Sequence, residues 1–153
     1  MDIMSRRVVL TTVMSVIALA WGGAILTTET QAADKRVALH GYDPVSYFTD
    51  ARPEQGSPRF TFAFDDAVYW FRDAEHRAVF AADPERYAPQ YDGYCAVSMS
   101  AGMKAEPDPE AWAIAEGKLY VFGAKRAATV FAQNQTGVVS QANANWQTLR
   151  KAH

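Results

Sequence analysis

Along the chain, Phe60, Phe62 and Phe64 alternate with small or polar residues. The pair Asp65-Asp66 follows, and Val68-Tyr69-Trp70-Phe71 then forms a second apolar run. Period-two hydrophobicity on both sides of a two-residue polar turn predicts a β-hairpin with one aromatic face turned inward. Trp112-Ala113-Ile114, Glu116-Gly117 and Leu119-Tyr120-Val121-Phe122 predict a second hairpin on the same grounds. Between the hairpins the spacing turns helical. Asp73 is placed to cap a helix whose Ala74, Ala78, Val79 and Phe80 share an inward face, and Glu75 and Arg77 put His76 on the solvated side.

Asp43-Pro44 and Asp83-Pro84 each join an N-cap acceptor to a residue pre-set for the first helical position. They predict short helices that turn Tyr47, Phe48 and Tyr87 inward. Tyr94 to Met99 reads as helix ending near Gly102, and helices over about 124–134 and 138–152 close the fold. Strand pairs followed by helices, without β-α-β alternation, make this an α+β domain. No internal repeat and no low-complexity linker stands out.

The first 32 residues have a different character. Ser5-Arg6-Arg7 supplies a positive end, Val8 to Thr28 an apolar stretch, and Thr30-Gln31-Ala32 small residues at the −3 and −1 positions of a cut before Ala33. That order is the pattern of a signal peptide over 1–32, leaving one domain over 33–153. An uncleaved membrane anchor is the alternative, although Thr11, Thr12, Gly22, Gly23, Thr27 and Thr28 dilute the stretch. The string SRRVVL resembles a twin-arginine export signal, with Leu10 matching and Val9 in place of Phe. Export to the periplasm by the twin-arginine or the general route is therefore expected.

Composition narrows the function. With 49% hydrophobic and 21% charged residues and a formal net charge of −2, the chain is globular and lacks the basic footprint of a nucleic-acid binder. Its only cysteine, Cys95, excludes an internal disulfide even in a compartment that permits one, so packing must hold the domain together and Cys95 is expected to be buried. No nucleophile elbow, HExxH, phosphate loop or dinucleotide fingerprint occurs, and no enzyme is predicted.

The run from GYDPVSYF through FTFAF, VYWF, AVFAADPERYAPQY and GYCA resembles the YHS domain family, in particular its exported single-domain group. DPEAWAIAEGKLYVF and NANW are similar to that group's C-terminal extension, so the resemblance spans nearly all of 33–153. It implies a binding module. YHS domains accompany copper-transporting ATPases and some phenol hydroxylases, which suggests a metal. In the metal-associated members cysteines stand where this chain has Ser46, Arg72 and His76.

A thiol and two imidazoles, Cys95, His76 and His40, make the expected metal set, suited to Cu(I) or another transition metal. Met99 and Met103, four and eight residues after Cys95, would extend a soft face if the helix ran that far, though core filling explains them equally well. The alternative is a metal-free interaction or small-ligand module docking to a membrane or periplasmic complex. A thiol-dependent enzyme, pairing Cys95 with His40 or His76, is a further alternative.

Overall fold

The phenylalanine alternation becomes a hairpin. A computed structural model describes residues 35–151, and in it β1 (Arg36–Val37), β2 (Ser57–Phe64) and β3 (Ala67–Phe71) form one sheet in the order β1-β3-β2. The β2–β3 pair is antiparallel and β1–β3 parallel. A separate antiparallel pair, β4 (Asp108–Ala115) and β5 (Lys118–Phe122), turns at Glu116-Gly117. Among the described residues six α-helices complete an α+β domain: α1 (Ser46–Thr49), α2 (Ala74–Ala82), α3 (Pro84–Tyr87), α4 (Ala96–Ser100), α5 (Lys125–Gln133) and α6 (Gln135–Leu149). Among the described residues no helix is long and apolar enough to cross a membrane. The predicted signal segment, 1–32, lies outside the described residues.

Several expectations need correcting in detail. The inward residues of α2 are His76 and Phe80, four apart, while Ala74 and Ala78 are exposed. A buried partner for the imidazole, described below, overrides the local charge pattern. Cys95 caps α4 from outside, and the helix ends before Met103, which is 58% exposed while Met99 is fully buried. No soft face therefore runs from Cys95 through both methionines. Helix α6 starts at Gln135, before the expected Val138, because the Asn134 side chain accepts from the Gly137 amide and caps it.

The largest correction concerns repetition, because the chain is built twice. The order 3₁₀ turn, short helix, hairpin and two helices runs from Ala38 to Tyr87 and again from Gln90 to Leu149. In both hairpins the register shifts at the same place: Ser57 pairs with Phe71 and Thr61 with Trp70, and Asp108 pairs with Phe122 and Trp112 with Val121. The 3₁₀ turns each carry three successive residues of positive φ, Leu39-His40-Gly41 and Tyr91-Asp92-Gly93. Two of the three are not glycine, a costly conformation that recurs in both halves. The amide of Asp43 donates to Glu54 O at 2.8 Å and that of Cys95 to Ala105 O at 2.9 Å.

Packing repeats as well. Phe80 of α2 lies 5.0 Å from the Tyr69 ring and 5.1 Å from the Phe71 ring, and Phe131 of α5 lies 4.9 Å from Tyr120 and 5.1 Å from Phe122. These aromatic triads anchor two cores. One gathers Leu39, Val45, Tyr47, Tyr69, Phe71 and Phe80, the other Tyr91, Cys95, Met99, Tyr120, Phe122 and Phe131. Strand β5 lies between them, giving Leu119 and Val121 to the first and Tyr120 and Phe122 to the second, as side-chain alternation along a strand requires.

Candidate functional site

Asp43 is the organising group of the first half. It is fully buried, and Pro44 follows it, so its side chain turns back onto the chain. Oδ1 accepts from the Val45 amide at 2.8 Å, and Oδ2 accepts from the Arg72 amide at 2.9 Å. His76 Nδ1 also lies 2.7 Å from Oδ2, with its side chain 5% exposed. Ser46 Oγ donates to the Asp43 carbonyl at 2.8 Å. Ser46, Arg72 and His76 thus all meet one residue, Asp43. A carboxylate on Nδ1 fixes the orientation of the imidazole, the arrangement that supports either a metal ligand or a structural histidine.

Above this pair the Arg72 guanidinium gathers three carboxylates. Nη1 donates to Glu54 at 2.6 Å and Asp50 at 3.0 Å, and Nε donates to Asp73 at 3.1 Å. The acids are held below the usual carboxylate range by different groups: Asp50 first by the Thr49 hydroxyl, Glu54 first by Arg72, and Asp73 first by the His76 amide. Glu54, followed by Asp50 and Asp73, raises Arg72 in turn. The guanidinium takes the position between the carboxylates that a cation would need, so this place is filled by the protein's own charge.

Cys95 belongs to the second core and is 2% exposed, as expected. Its Sγ accepts from the Ser98 amide at 3.4 Å. His40 is exposed, and its Nε2 lies 3.0 Å from Pro107 O and 3.9 Å from Glu106 Oε2. His76 is engaged with Asp43 in the other half. The expected set Cys95, His40 and His76 is thus spread over three settings. Among the described residues no group of three or more His, Cys, Asp and Glu side chains is gathered where a metal ion could be held.

What the sequence did not single out is an open cleft of about 390 Å³ beside Cys95, lined by Ser98, Gly123, Ala124, Arg126, Ala127 and Val130 among others. It lies in the second half where the Asp43 site lies in the first. Matching the repeated elements puts Cys95 where Asp43 stands, Ser98 at Ser46, Gly123 at Arg72, Ala124 at Asp73 and Ala127 at His76. Arg72, Asp73 and His76, which fill the first site, are replaced by glycine or alanine. A β-carbon built on Gly123 would lie 3.5 Å from Glu106 O and 3.9 Å from Sγ, so a side chain at this position would start beside the thiol.

A second, polar cavity of about 420 Å³ opens between the halves near Asp65, Glu85, Tyr91, Asp92, Lys118 and Trp146. Burial, with Asp65 and Asp66 close by, pushes the Asp92 carboxyl up to about 6. Arg36 ties this corner together. Its guanidinium donates to Asp92 O and Glu106 and lies 4.0 Å over the Tyr94 ring.

Comparison of the chain with protein-family models, with curated proteins and with solved structures found no match.

Proposed function

We propose that this chain is an exported YHS-type binding module that takes a small ligand without a resident metal, in the cleft beside Cys95. One observation carries the reading: two equivalent places exist in the fold, one filled by Arg72, Asp73 and His76 and the other opened by Gly123, Ala124 and Ala127. A cleft backed by a rigid core and rimmed by a few polar groups is the usual form of a small-molecule site. Rebuilding the first site in the second, with Gly123→Arg and Ala127→His together, tests this. Ligand-detected NMR with a pool of small fragments should show binding to the protein and at least tenfold weaker binding to the filled variant. Equal binding to both would reject the cleft as the site.

Cu(I) handling by Cys95 is the second reading, and the open cleft beside its thiol favours it. It calls for His40 or His76 to join Cys95. Cu(I) loading under reducing conditions in competition with a chelator decides between the readings. Affinity equal to that of a Cys95→Ser variant would remove copper from the account.

A further inference from the structure

We infer that a trough along α6 binds a short neutral oligosaccharide. This site is separate from the Cys95 cleft and does not depend on it. Two cavities meet at Asn143, which lines both. The polar cavity of about 420 Å³ described above reaches Tyr91 and Trp146, and a further one of about 340 Å³ runs past Val139 and Ser140 to Gln135 and Thr136. From Gln135 to Trp146 the helix rises about 16 Å, a length that fits several linked rings better than one.

The surface of α6 carries the chemistry. No residue from Gln135 to Leu149 is charged, and the exposed positions are threonine, serine, glutamine, asparagine, glycine or alanine. The outer face of a surface helix is ordinarily rich in charge. Here it offers hydroxyls and carboxamides instead, groups that both donate and accept hydrogen bonds and so match a ligand built of hydroxyls. At the junction of the two cavities Tyr91 Oη donates to Asn143 Oδ1 at 3.0 Å, which fixes this carboxamide and leaves its Nδ2 as a donor.

The larger cavity adds what a sugar ring needs. Its Tyr91 and Trp146 rings lie 6.1 Å apart at 71°, an aromatic corner against which the C–H face of a pyranose packs. Asp65 and Glu85 line the same end and accept from hydroxyls. Charge then selects against acidic sugars. Asp65, Glu85, Asp92 and Glu116 line the trough with Lys118, and burial followed by Asp65 and Asp66 already raises the Asp92 carboxyl. A further negative charge would be repelled there.

The test titrates the protein with maltotriose, cellotriose and triacetylchitotriose, with their monosaccharides and with trigalacturonate, followed through the backbone amide signals of Asp92, Ser140 and Asn143. At least one neutral trisaccharide should bind, at least tenfold more tightly than its monosaccharide and than trigalacturonate. Ser140→Glu, at an exposed position in the trough, should weaken that binding several-fold with Tm unchanged, and Asn143→Ala should weaken it likewise. Gln147→Glu, on the same helix but lining neither cavity, should leave it unaltered. No shift at these signals with any neutral trisaccharide, trigalacturonate binding as tightly, or equal binding to both trough variants would each overturn the inference. Sugar-induced shifts at Gly123 and Ala127 alone would also overturn it and leave the Cys95 cleft standing.

Discussion

Cys95 occupies in the second half of the molecule the place that Asp43 occupies in the first. Each precedes a short helix and donates its amide to an equivalent carbonyl, Glu54 O for Asp43 and Ala105 O for Cys95. Each also accepts a backbone amide of its own helix turn on its side chain. The difference is chemical. A carboxylate draws in Arg72 and His76, whereas a thiol, facing Gly123 and Ala127, is left beside an open cleft.

Removing the carboxylate should be costly. Asp43→Ala leaves the Val45 and Arg72 amides and His76 without their acceptor in a fully buried place, and we expect a loss of about 3 kcal/mol, the scale for breaking a buried polar network. Urea denaturation measures it. A loss below about 1 kcal/mol would show that water or a rearranged neighbour replaces the carboxylate.

The duplicated aromatic triads predict matched energetics. Phe80→Ala and Phe131→Ala each remove a ring about 5 Å from a tyrosine and a phenylalanine in its own core. Each should cost about 3 to 5 kcal/mol, within about 1 kcal/mol of the other. Chemical denaturation of both variants checks this, and a large disparity would mean that one half carries the fold.

Asp92 sets a pH dependence. Its folded carboxyl titrates at about 6, above the ordinary value of 3.8, so between these values the folded state holds a proton that the unfolded state has released. Its contribution therefore favours folding below pH ~4 and is lost as the pH rises through 6. The midpoint of denaturation should fall across that window, and Asp92→Asn should flatten the fall. An unchanged profile in the variant would assign the titration elsewhere.

The local fold was legible because its signals are local. Alternation marked both hairpins, and Asp73 and Asp83 cap helices where their spacing said they would, accepting the amides of His76 and Arg86. The burial of Cys95 followed from its apolar neighbours. The position of His76 was not legible, since Glu75 and Arg77 beside it suggested solvent and the partner that draws it inward lies 33 residues earlier.

The repeat is faint in the sequence because its identities are few and set 51 or 52 positions apart. GYDPVS against GYCAVS, and VYWF with VFA against LYVF with VFA, were the strings that could have revealed it. Between them the substitutions are large, Arg72 against Gly123 and His76 against Ala127, and these same exchanges open the cleft. The chemical difference between the halves thus erased the signal of their likeness.

Cys95 should react slowly. With 2% of the residue exposed, modification by a thiol reagent in the native protein should run at least a hundredfold more slowly than in denaturant. A bound ligand in the cleft should slow it further. Rapid native labelling would contradict the packing assigned to the second core.

The most direct measurement of the central claim is a backbone amide shift map of the isotopically labelled protein titrated with a mixed pool of small acids, amides and amines. The largest shifts should fall on Gly123, Ala124, Arg126 and Ala127, while those of Arg72, Asp73 and His76 stay still. Largest shifts at Asp65, Tyr91 and Asp92, or at the Arg72 cluster, would contradict it.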